Sequence, residues 1–149
     1  MSLNPQDFWQ FSLAHYAQAG VQPACMTLQN TYQGNVNLAL LLHWLDTQHI
    51  ALTLPELDTL IAGLYASDVR LQQFRTMRKQ LKTQLDQTGY QQLLAFELTL
   101  EQDQQHNLVA QCNQFEDLTP KHAARSDNLA SYCKQLKASV LLHQLQARP

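Results

Sequence analysis

Two carboxylate–imidazole pairs at i, i+3 spacing, Asp46-Thr-Gln-His49 and Asp103-Gln-Gln-His106, come nearest in this chain to a pattern that does chemistry. On a helix that spacing puts both side chains on one face, and pairs of the Glu-x-x-His type supply ligands to di-metal sites inside helical bundles. The resemblance is partial. Such a site needs inward projection, whereas the helical wheel groups Asp103 and His106 with Gln92, Thr99 and Gln102, away from the apolar positions. His49 falls at a helix end, where the dipole favours a cation and no metal is needed to explain it. His15, His43, His122 and His143 stand apart in the sequence, with no arranged nucleophile, and read as structural. There is no glycine-rich phosphate loop, H-E-x-x-H or G-x-S-x-G. The sequence thus nominates no catalytic residue, no metal ligand set and no cofactor.

Charge is the second candidate. Residues 1–69 carry five acids and no Lys or Arg; residues 70–82 carry five basic groups, Arg70, Arg75, Arg78, Lys79 and Lys82, and no acid. Residues 83–117 carry six acids and no Lys or Arg, and residues 118–149 carry five basic groups against Asp127. On a helix, Arg75, Arg78, Lys79 and Lys82 share an arc that borders an apolar seam, while Glu97 and Glu101 fall between two apolar flanks, Phe96, Leu93 and Leu100 on one side and Leu94 and Leu98 on the other. Carboxylates so placed need cation partners or a raised pKa. The expected arrangement is an intramolecular clamp between these groups. The rival is an outward anion-binding arc, and nucleic acid is disfavoured there by the absence of interleaved aromatics and a pI near 6.3.

A third candidate is a pocket lined by the aromatics Phe8, Trp9 and Tyr16, with Phe11, against Trp44; aromatics at helical spacing are more often core. Cys25, Cys112 and Cys133 are odd in number and unclustered, which argues against a disulfide framework or zinc knuckle and for reduced thiols.

The elements that position these residues are helices. Leu, Ala and 22 glutamines dominate, Val and Ile are scarce, and there are only four glycines. Asn4-Pro5-Gln6-Asp7 predicts a helix from Pro5 to near Gly20, residues 23–32 a second closed by Gly34, and Asn35 the cap of a third, whose residues 36–45 are apolar on nearly every side. That helix is expected at the centre, with Trp44 buried. Thr53-Leu-Pro-Glu56 predicts a capping box and a fourth helix. Ser67 is expected to cap a fifth helix reaching about Gln87, Gly89 to stop it, and residues 90–115 to form a sixth. After Thr119-Pro120, a seventh uses Leu129, Tyr132, Leu136 and Val140. No basic segment followed by an apolar one marks a signal peptide, and residues 36–45 fall short of a membrane span, so a cytoplasmic protein with no membrane association is expected.

Phe8-Trp9-Gln-Phe11-Ser12-Leu13-x-x-Tyr16, Gly20-Val21-x-x-Ala24-Cys25-x-x-Leu28-Gln29, Val36-Asn37-Leu38 through Trp44-Leu45, and Arg75-x-x-Arg78-Lys79-x-Leu81-Lys82 together resemble a family of short bacterial proteins of unknown function. The resemblance spans about residues 8–85, leaving a less recognisable C-terminal part at about 90–149. It implies a bacterial cytoplasmic protein and no catalytic residues.

The sequence therefore predicts one all-α domain over residues 1–149, a compact bundle of about six or seven helices around a central apolar helix. The function expected is a non-catalytic interaction or regulatory module that meets a protein partner or a second copy of itself. The alternative is a metal-dependent or small-molecule-binding enzyme with a carboxylate and histidine site in the bundle.

Overall fold

A computed structural model describes residues 2–116, 118–120 and 126–148. Its elements are α1 (Pro5–Tyr16), α2 (Val21–Thr31), α3 (Val36–Thr47), α4 (Leu54–Gly63), α5 (Tyr65–Leu81), α6 (Gln87–Cys112) and α7 (Asn128–Gln135), then a 3₁₀ turn (Ser139–Leu141) running into the short α8 (Leu142–Leu145). There is no strand among the described residues. His122 and the part of the last break that follows Pro120 lie outside them.

Local chemistry starts most of these helices. Asn4 accepts the amides of Gln6 and Asp7 ahead of Pro5, and Asn35 accepts the amide of Leu38. At α4, Thr53 Oγ1 accepts the Glu56 amide while Glu56 Oε1 accepts the Thr53 amide, so two backbone donors left over by the helix are satisfied reciprocally. α3 buries Leu38, Ala39, Leu40, Leu41, Leu42 and Leu45 and touches α1, α2, α6 and α7, which makes it the centre of the bundle.

Several boundaries differ from the sequence expectation. α1 stops at Tyr16, and Gly20, at φ +85°, makes the left-handed turn that lets α2 begin at Val21. Ser67 does not cap α5, which starts at Tyr65; its hydroxyl instead donates to the Leu64 carbonyl and accepts from Gln104. α5 ends at Leu81, and Gly89 lies inside the first turn of α6, where its amide is held by the true cap, Asp86. α7 ends before Leu136 because Lys137 takes φ +60°, so Val140 leaves the heptad and stands exposed. Trp44 is half-buried rather than buried: it stacks on fully buried Phe8 at 5.2 Å and meets Phe11 at 6.4 Å, and part of its surface stays open.

α6 is 26 residues long, about 39 Å, and only its second half belongs to the core. Its buried residues are Gln104, Gln105, Leu108, Val109 and Cys112. On α5 the only buried residue is Leu71. Between Gln72 and Asp103 no residue is buried, so the outer halves of α5 and α6 form a two-helix arm standing beyond the packed bundle.

Candidate functional site

At the root of the arm, α1, α3, α5 and α6 meet through polar side chains. Gln104 is buried and fully committed: its Oε1 accepts from Asn35 Nδ2 (3.1 Å) and Asn37 Nδ2 (2.9 Å), and its Nε2 donates to Ser67 Oγ (2.8 Å) and Asp68 Oδ1 (2.9 Å). Asn35 Nδ2 also reaches Asp68 Oδ1 at 2.6 Å. Gln105 Nε2 donates to Ser12 Oγ and Asn37 Oδ1. Helices α1, α3 and α5 are thus tied to one pair of adjacent glutamines, of which only Gln105 Oε1 is left without a partner, and because buried amides favour matched partners, this fixes the level at which the arm leaves the core. Sequence reasoning missed this network. Its signal was present: Gln104 and Gln105 sit where the apolar repeat through Leu100, Leu108, Val109 and Cys112 calls for hydrophobic residues.

One turn outward lies the charge cluster. Arg75 Nη2 donates to Glu101 Oε1 at 3.2 Å and Arg75 Nε lies 3.6 Å from Glu97 Oε2, while Arg78 Nε donates to Glu97 Oε1 at 2.5 Å and Arg78 Nη1 to the Tyr90 hydroxyl at 2.8 Å. The side chains of Arg75, Arg78 and Glu97 are 14–15% exposed, so this is a screened but not solvent-free set. Burial raises the Glu101 pKa, with Arg75 opposing it. Burial works against the charge on Arg78, yet its bonds to Glu97 and Tyr90 hold its pKa above the ordinary value. The four groups Arg75, Arg78, Glu97 and Glu101 thus neutralise one another across the α5–α6 seam. Lys79 and Lys82 do not join them; both are exposed, Lys82 with its ammonium 5.6 Å over the Tyr90 ring.

The other sequence candidates are dispersed. Asp46 is the N-terminal cap of α7, accepting the amides of Asn128 (2.9 Å) and Leu129 (3.1 Å), and burial pushes its pKa up to about 6. His49 closes the turn after α3 at φ +59°. Asp103 and His106 are exposed on α6, where with Arg70, Ser67, Leu100 and Asn107 they line a cleft of about 270 Å³. Among the described residues no group of three or more His, Cys, Asp or Glu converges. Phe8, Phe11 and Trp44 pack on one another, Trp9 is half-buried, and Tyr16 ends α1; none of them lines that cleft. His15 and His43, distant in sequence, are neighbours in space at 4.5 Å between ring centroids. His15 Nε2 donates to the Leu145 carbonyl at 2.6 Å, and burial, with His15 and Arg148 nearby, pushes the His43 pKa down to about 4. All three cysteines are buried and free, with thiols pushed by burial up to about 12 at Cys25 and Cys112 and about 11 at Cys133, the opposite of an activated nucleophile.

Exposed apolar side chains are scattered over the molecule, Val140, Tyr65 and Leu54 most of all, but several fall close together in one stretch. Phe96 is 54% exposed, Leu98 47%, Met77 42% and Leu85 38%, all on the arm. Phe96 leans on Phe74 at 5.3 Å on one side of the hairpin; Leu94 and Leu98 lie on the other.

Fold and site together define an all-α protein with a projecting, partly apolar helical arm. Residues 7–108 match the family described as a protein of unknown function (DUF2390), and the chain belongs to that family. The matched region runs past the expected limit near residue 85 and contains the whole arm and the glutamine pair at its root. No curated protein and no solved structure matches the chain. No described helix is long and apolar enough to cross a membrane.

Proposed function

We propose that the protein is a non-catalytic interaction module of the cytoplasm, and that the α5–α6 arm is the surface by which it holds a protein partner. The observation that carries this reading is the run of residues 72–103, in which no side chain is buried although Phe74, Met77, Leu81, Leu93, Leu94, Phe96 and Leu98 are all apolar. Two helices can bury only the seam between them, and apolar flanks on both sides of a two-helix arm call for a further helix to cover them. An internally neutralised seam suits such an arm, since Arg75 and Arg78 are already matched by Glu97 and Glu101 and need no counter-ion from a partner.

Capture from native cells tests this with wild-type chain beside a Phe96→Gln/Leu98→Gln variant. Both residues are about half exposed, so the variant keeps its thermal midpoint. Loss of the wild-type partners on the variant supports the arm; the same partners at the same yield on both would remove it.

A further inference from the structure

The two sides of the arm are not equivalent, and one of them continues an interface the molecule already uses. α1 lies antiparallel on α6: the Leu3 amide donates to Asn113 Oδ1 (2.7 Å), Asn113 Nδ2 donates to the Leu3 carbonyl (3.0 Å), and farther along Gln105 Nε2 donates to Ser12 Oγ (3.0 Å). Nine steps along the chain from Leu3 to Ser12 are thus matched by eight from Asn113 back to Gln105, and one further turn in this antiparallel register brings Tyr16, the end of α1, beside Glu101. Burial raises the Tyr16 pKa, with Cys25 and then Glu101 adding to it and Arg75 opposing, in keeping with that position. There α1 stops, but the stripe of α6 on which it rests does not. The next residues on the same side, one and two turns outward, are Leu98 and Leu94.

The facing edge of α5 is basic. Arg75, Lys79 and Lys82, at i, i+4 and i+7, border this stripe, and of these Arg75 is occupied by Glu97 and Glu101 while Lys79 and Lys82 are exposed. The track therefore has an apolar floor at Leu98 and half-buried Leu94, continued on the same side by Gln91 and Gln87, with a positive rim; it runs about 17 Å from Leu98 to the start of α6, room for about three helical turns. On the opposite side, Phe74 and Phe96 are separated from the nearest helix contact, α4 on α6 at Gly63 and Gln111, by the cleft that Arg70, Asp103 and Asn107 line.

We infer that this track binds an acidic amphipathic helix of another protein, laid in line with α1, with its apolar positions on Leu94 and Leu98 and its carboxylates toward Lys79 and Lys82. This rests on the reading of the arm as the interaction surface and names the chemistry of its occupant. Helix-in-groove recognition works by such spaced apolar anchors, and the charged rim sets encounter rate and orientation.

The test selects binders to the intact chain from a displayed library of random 16-residue peptides and measures their affinities by fluorescence anisotropy. The expected result is a set of peptides with apolar residues at i, i+3 or i+4 spacing and an excess of Asp and Glu. Their binding should weaken about tenfold or more for Leu94→Glu/Leu98→Glu and about tenfold for Lys79→Glu/Lys82→Glu, the latter loss shrinking at high salt. The lysine pair is exposed, so that variant reports on binding even if the leucine variant folds poorly. Peptides without acidic excess, or indifferent to both variants, or no selected peptide at all, would overturn the inference. Peptides that depend on Phe96 and not on Leu98 would overturn it while leaving the arm as the interaction surface. So would concentration-dependent dimerisation in sedimentation that Leu98→Gln abolishes, since the occupant is then a second copy. A random DNA duplex that binds through Lys79 and Lys82 with no dependence on Leu94 or Leu98 would overturn both readings.

Discussion

Asp46, near the end of α3, accepts the backbone amide of Asn128 at 2.9 Å across 82 residues of chain, and so caps a helix that its own neighbour Asp127 leaves uncapped. The central helix of the bundle thereby fixes where α7 begins. Asn128 returns the contact through its side chain, donating to the Ile50 carbonyl at 2.7 Å and accepting the Leu52 amide at 2.9 Å.

Because burial raises the Asp46 pKa from 3.8 to about 6, the folded chain holds this proton more tightly than the unfolded one. The associated stability is complete below about pH 4 and declines as pH rises through about 6. Asp46→Asn keeps an acceptor for the α7 amides and removes the titration. Denaturation midpoints between pH 4 and 7 should therefore fall less with rising pH in Asp46→Asn than in wild type. Parallel profiles would show that Asp46 does not titrate there.

The capping box at α4 gives a local prediction. Thr53→Ala loses about 1 kcal/mol and Thr53→Gly less, since glycine leaves the Thr53 and Glu56 amides open to water. Urea titration reads both; an alanine variant as stable as wild type would mean the box does not hold α4 in solution.

Phe8 and Trp44 stack, but only Phe8 is enclosed. Phe8→Ala should cost about 3–5 kcal/mol, and Trp44→Ala less because part of its ring already faces water. Reversal of that order in urea titration would contradict the packing described for α1 on α3.

At the arm, Arg78 and Glu97 should couple by about 1–3 kcal/mol in a double-mutant cycle with glutamine at each position. Lys79→Gln and Lys82→Gln should change stability by no more than about 0.5 kcal/mol. Zero coupling between Arg78 and Glu97 would leave the seam of the arm without its electrostatic support.

What the sequence made legible followed from local rules. Asn4, Asn35 and the Thr53–Glu56 box announce helix starts by side-chain chemistry within four residues, and the apolar run of α3 marks a helix surrounded on all sides. The charge seam was legible in part: Glu97 and Glu101, set between apolar flanks, require cations, and the structure brings Arg75 and Arg78 to them, though not Lys79 or Lys82. The errors were tertiary. Ser67 resembles a cap yet is drawn to Gln104, and Lys137 turns the chain at a residue whose type gives no warning. The pairing of His15 with His43 and of Asp46 with Asn128 joins residues with no periodic relation, so spacing carried no trace of either. The projection of the arm was hidden for a similar reason: Leu94 and Leu98 continue the core stripe of α6, and only the end of α1 at Tyr16 leaves them uncovered.

The most direct measurement of the central claim is amide hydrogen exchange on the chain with and without its captured partner. The arm reading predicts that slowed exchange on binding concentrates in residues 72–103, with α7 and α8 unchanged. Protection confined to the bundle, with exchange across residues 72–103 the same in free and bound chain, would contradict it.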